Sequence, residues 1–109
     1  MGYTVSLTSA KTGKPVKVPL FQEGGIPVVD GSKFAELGVT YNYCKLFDFK
    51  SLDGKTVEET ASLLWKAISK LGLVRDPNYL KPTEGNVGSA CNILLGWAHL
   101  HPKAVWQVH

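Results

Sequence analysis

A chain of 109 residues, 44% of them hydrophobic, has room for one domain with one modest core, and its twelve basic and nine acidic residues leave a net charge of only +3. The charges are interleaved along the chain, which excludes the concentrated Lys/Arg stripe of a duplex nucleic-acid binder but tolerates a small anionic ligand. Apolar runs such as Ile93-Leu94-Leu95 are too short to cross a bilayer, so no membrane role is expected, and Cys44 and Cys91, without Cys-x-x-Cys spacing, read as a reduced cytosolic pair.

The expected organisation is a single domain over 1–109, β-rich over 1–49 and α-rich over 50–109. Tyr3 to Thr8 alternates large apolar with small polar residues, Ser9 to Pro15 supplies turn chemistry, and Val16 to Leu20 alternates again. That pattern predicts a β-hairpin, and Pro19, which lacks a donor for the ladder, puts its second strand at an edge or ends it there. Gly24-Gly25 and Asp30-Gly31 punctuate the next stretch, leaving Ile26 to Val29 as a short extended piece. From Ala35 onward, Leu37, Val39, Tyr41 and Tyr43 share one face while Glu36, Gly38, Thr40 and Asn42 share the other. This segment predicts the central strand, with two aromatic rings side by side.

The first helix is predicted to start at Thr56, whose hydroxyl can cap the Glu59 amide while the Glu59 carboxylate reaches back. Val57, Ala61, Leu64, Ile68 and Leu71 recur at spacings of four and three, Lys66 and Lys70 complement the negative end of the dipole, and Gly72 supplies the stop. A second helix is predicted from a Thr83 cap to about His99, before Pro102, with Val87, Ala90, Cys91, Leu94 and Ala98 as its buried stripe. Its other face, with Gly85, Gly88, Ser89, Asn92 and Gly96, is small and polar. Val105, Trp106 and Val108 predict that the tail packs back as a final strand. The fold class that results is α+β: a small, mainly antiparallel sheet of three or four strands with two helices on one face.

The run Pro82-Thr83-Glu84-Gly85-Asn86 opens the second helix with little side-chain bulk over main-chain amides that lack intrahelical partners. Such a helix start suits phosphate or carboxylate. Tyr41, Tyr43, Tyr79 and Trp106 are candidate platforms for a base, worth roughly 1–3 kcal/mol per stack. Arg75 and Lys81 can pair with phosphate oxygens. The predicted ligand-binding set is therefore Tyr41, Asn42, Tyr43, Arg75, Tyr79, Lys81, Thr83, Glu84, Gly85, Asn86 and Trp106. The same residues have structural uses: Thr83 is a cap in any case, Glu84 suits a helix start, glycines on a helix face allow close packing, and Tyr41 and Tyr43 share a face with core residues.

In combination, Gly24-Gly25, Thr40-Tyr41-Asn42-Tyr43, Gly54-Lys55-Thr56, Pro82 to Asn86 and Pro102 to Trp106 resemble a family of small phage- and prophage-encoded proteins of about this length. The likeness covers most of the chain, although Gly88-Ser89 stands where relatives carry a basic pair and Tyr79-Leu80 where many carry Tyr-Trp. What the resemblance implies is a protein acting in the cytoplasm of an infected bacterial host.

Catalysis is not expected. The sequence has no Gly-x-Ser-x-Gly elbow, His-Glu-x-x-His pair, Walker loop or Gly-x-Gly-x-x-Gly fingerprint, and no cofactor is implied. His99 and His101 are two apart on a helix end and make a poor metal pair, His109 is terminal, and Cys91 sits on a buried stripe. The function expected is sequestration of an anionic, nucleotide-like small molecule, such as a host defence signal. The alternative is a protein–protein module, an inhibitor of a host protein or a minor virion component, with Trp65, Trp97 or Trp106 as anchor. Three tryptophans in so short a chain, and a glycine-lined helix face, predict a homo-oligomer under either reading.

Overall fold

The computed structural model describes residues 2–21, 27–78 and 80–109. In chain order the elements are β1 (Gly2–Thr8), β2 (Lys17–Phe21), β3 (Pro27–Phe34), β4 (Glu36–Thr40), α1 (Val57–Leu71), α2 (Glu84–Leu100) and β5 (Val105–Val108). Two short 3-10 turns, Tyr41–Lys45 and Phe49–Leu52, lie between β4 and α1. The α+β class is as expected: β1, β4 and β5 form an antiparallel sheet and both helices pack against it. The predicted Gly24-Gly25 punctuation and Tyr79 lie outside the described residues.

Strand pairing differs from the local reading in two respects. The order of the sheet is β4-β1-β5, so β1 is central and β4 is an edge. Tyr3 faces Val39 and Val5 faces Leu37 on one side, while Val5 faces Val108 and Leu7 faces Trp106 on the other. A central position for β1 accounts for the burial of Val5, Ser6, Leu7 and Thr8 in succession. The second difference concerns the hairpin: β2 pairs with β3 in a separate two-stranded ribbon, and β1 meets the residues just before β2 at the Thr8–Pro15 bridge and the Val16 amide, which donates to Leu7 O at 2.9 Å. Pro19 stands where the ribbon's register shifts, as a residue without an N–H should. β3 runs straight through Asp30-Gly31, longer than the short piece expected there.

The helices follow their local signals closely. Thr56 caps α1 by accepting from the Glu59 amide at 3.2 Å, and the Thr56 hydroxyl donates to the Glu59 carboxylate at 3.2 Å. Gly72 ends the helix at φ 78°, a left-handed conformation open to glycine at little cost. Leu64, Ile68 and Leu71 of α1 join Val87, Cys91, Leu94 and Ala98 of α2 in the core. Thr60, a polar residue inside the apolar stripe, is also fully buried.

Candidate functional site

The Thr40 to Tyr43 motif does not continue β4. After Thr40 the chain tightens into the Tyr41–Lys45 3-10 turn, so alternation across a strand no longer applies and the two tyrosines part company. Tyr43 turns inward and is buried, whereas Tyr41 and Asn42 are exposed. Tyr41 instead meets Tyr3 edge to face, with ring centroids 4.9 Å apart and planes at 75°, and Lys50 Nζ stands 5.9 Å from the Tyr3 centroid.

The helix start is occupied by the protein itself. Asn86 is buried, and its side chain holds the loop that precedes α2: Oδ1 accepts from the Asp76 amide at 2.8 Å, and Nδ2 donates to Asn78 O at 3.1 Å and Lys81 O at 2.8 Å. Asp76 Oδ1 and Asn78 Oδ1 then accept from the Asn78 and Leu80 amides. Thr83 accepts from the Asn86 amide at 3.1 Å, the expected cap. Gly85 lies directly under the Val74 carbonyl and Gly88 under the Gly72 carbonyl, so that a Cβ at either position would overlap main-chain oxygen. The small residues therefore admit the 72–74 backbone, and neither the expected ligand contact at Gly85 and Asn86 nor a symmetry mate on Gly85 and Gly88 is what fills that space. Glu84 is exposed.

Trp106 requires a correction as well. It is fully buried on β5, with its indole N–H donating to Thr60 Oγ1 at 2.7 Å, and offers no face for stacking. The chain spacing that marks it as a late aromatic carries no information about the strand that covers it.

Beside these elements lies an open hollow of about 290 Å³. Its walls come from the first residues of β1 (Tyr3, Thr4), the end of β4 (Gly38, Thr40), the buried Tyr43, and Leu80 from the loop before α2. The Thr40–Tyr43 motif and the approach to the second helix thus meet at one place. Tyr3 and Thr4 carry no local signal for this place, because the pairing of Gly2 with Thr40 and Tyr3 with Val39 brings them there. Burial pushes the Tyr43 phenol above its usual pKa, and the positive charge of Arg75 pulls it back. Arg75 is exposed, and Lys81 stands 3.9 Å from Asp76. The Thr40 hydroxyl oxygen is buried without a hydrogen-bond partner among the described residues. Among those residues no cluster of His, Cys, Asp and Glu is arranged to hold a metal, and no helix is long and apolar enough to cross a membrane.

Compared with known proteins, the chain matches no family model, no curated protein and no solved structure.

Proposed function

We propose that this chain is a binding protein that takes up a small, anionic, nucleotide-like molecule at the hollow between β1, β4 and the loop before α2. The observation that carries the reading is the convergence of Tyr3, Thr40, Tyr43 and Leu80 on one concavity, and Arg75, whose charge draws the Tyr43 phenol pKa down, belongs to the same loop as Leu80. A cavity of about 290 Å³ sits at the lower end of the ligand-pocket range, roughly 300 Å³ upward, so it suits one ring system with a charged group at its mouth. Arg75 offers that group a planar fork of donors. The helix start contributes by fixing the loop that bears Arg75 and Leu80, through Asn86. The likeness to phage-encoded proteins favours sequestration of a host signal over metabolism.

The test is calorimetric titration with cyclic and linear nucleotides. Micromolar binding that weakens about tenfold in Arg75→Ala, one lost charge-assisted contact, supports the reading. Absence of such binding to every nucleotide tried, with protein of native circular dichroism, removes it.

A second reading has its own observation. Trp65 is 61% exposed in the middle of α1, whereas Trp97 and Trp106 are fully buried. A solvent-facing indole on a rigid helix is the type of side chain that anchors a protein interface. Recovery from host lysate of one stoichiometric protein, lost on Trp65→Ala, would favour this alternative.

A further inference from the structure

The two edges of the three-stranded sheet are treated differently. On β5 the outward main chain is closed off: Gly54 N donates to Trp106 O at 2.9 Å, Trp106 N to Lys55 O at 2.9 Å, Val108 N to Asp53 Oδ1 at 3.0 Å, and Lys50 Nζ to Val108 O at 3.0 Å. The turn before α1 thus works as an edge cover. β4 has no counterpart among the described residues. Thr4 and His109 exchange both of their main-chain bonds at 3.0 Å, so the N–H and C=O groups of Thr4 and Ser6 point to β5 and those of Tyr3 and Val5 point to β4. Their partners Val39 and Leu37 point back, which leaves the main-chain groups of Glu36, Gly38 and Thr40 directed away from the sheet. Glu36 and Gly38 are exposed and take part in no main-chain bond to a turn or loop among the described residues, whereas Thr40 caps the Tyr41–Lys45 turn and keeps only its amide for an outside partner.

We propose that β4 pairs antiparallel with β4 of a second copy of this chain, about a twofold axis at Gly38, joining two sheets into one of six strands. The occupant follows from the edge's own composition. Antiparallel pairing centred on Gly38 sets Gly38 against its own copy, with two hydrogen bonds exchanged, and Glu36 against Thr40, whose amide can donate to the Glu36 carbonyl, and no like charges oppose one another. Leu37 falls opposite Val39, which continues the apolar face across the axis. Residues 36–40 contain no Lys, Pro or bulge to guard the edge, and their one charge, Glu36, meets Thr40 in this register. Symmetric pairing of one patch with itself is the usual closed form of a dimer. This route to an oligomer does not use the helix glycines, which are already occupied, and it runs along Gly38 and Thr40 at the rim of the hollow.

The experiment is light scattering and main-chain hydrogen exchange across the micromolar to millimolar range, on wild type and Gly38→Lys. A Cβ at Gly38 meets no atom within 4 Å, so the substitution fits the monomer while placing two like charges at the axis. The expected result is a mass of twice the 11.9 kDa of one chain and a Gly38 amide whose protection rises with concentration. Gly38→Lys is expected to return the mass to that of one chain at unchanged circular dichroism. A wild-type mass of one chain throughout, a dimer that survives Gly38→Lys, or a Gly38 amide that exchanges equally fast at both ends of the range overturns the proposal. The amide measurement uses wild-type protein and decides the matter even if the variant fails to fold.

Discussion

Trp106 and Thr60, both fully buried, are joined by an indole-to-hydroxyl hydrogen bond of 2.7 Å that ties the last strand to the first helix. The Thr60 hydroxyl in turn donates to Thr56 O at 2.9 Å, so one side chain satisfies the indole and a carbonyl of the first helical turn. Thr60→Val keeps the shape and leaves the indole N–H unsatisfied in the core. The expected loss is about 1–3 kcal/mol in urea unfolding, with Thr60→Ser retaining most of the bond's contribution.

Asn86 should behave as a structural hub. Asn86→Ala abandons the Asp76 amide and the Asn78 and Lys81 carbonyls together, and is expected to lower stability by about 2–3 kcal/mol. Exchange of the Asp76 amide should accelerate more than that of amides in the middle of α1. Equal acceleration everywhere would mean that Asn86 acts on global stability alone.

The glycines of α2 separate into two kinds. Gly96 has open space where a Cβ would stand, so Gly96→Ala should stabilise the helix by about 0.5–1 kcal/mol. Gly85→Ala and Gly88→Ala gain the same propensity but collide with the Val74 and Gly72 carbonyls, and overpacking against main chain costs about 1–3 kcal/mol. Thermal unfolding of the three variants is expected to give opposite signs.

Burial pushes the Cys91 thiol up to about 12 from 9.0. At pH 8 the native thiol should therefore be inert to a thiolate-selective reagent, while Cys44, raised by burial and by the Asp48 charge but only half-buried, should react slowly. The thiol of the unfolded chain ionises first as pH rises, so the unfolded state binds fewer protons between about pH 9 and 12. Stability present below that window should fall across it, by about 1.4 kcal/mol per pH unit from this group at the steepest. Urea midpoints measured from pH 8 upward check the sign, and Cys91→Ala should flatten the slope.

The helix boundaries were legible because they are local. Thr56 with Glu59, Gly72, and Thr83 with Asn86 act within four residues of one another, and the apolar stripes at Leu64, Ile68, Leu94 and Ala98 follow from the pitch of the helix. Thr60 was hidden among those apolar positions because its partner, Trp106, lies 46 residues away. The tyrosines were legible as aromatic residues but not as neighbours: Tyr41 meets Tyr3 only through the pairing of β1 with β4. Period-two alternation through Tyr43 looked like a longer strand, and no local feature announces the 3-10 turn that separates the rings.

The sequence by itself determined where the helices start and stop, that a tail strand returns, and that the domain is α+β, since caps, glycines and periodicity are satisfied within a few residues. Which strand stands at the centre was decided by tertiary structure, because main-chain pairing is nearly indifferent to side-chain identity and β5 reaches β1 from the far end of the chain. The fate of the Thr83 to Asn86 helix start was decided there too. Its small residues would suit an anion or a neighbouring main chain equally well, and folding brought the Val74 carbonyl over Gly85 and tied Asp76, Asn78 and Lys81 to the Asn86 side chain.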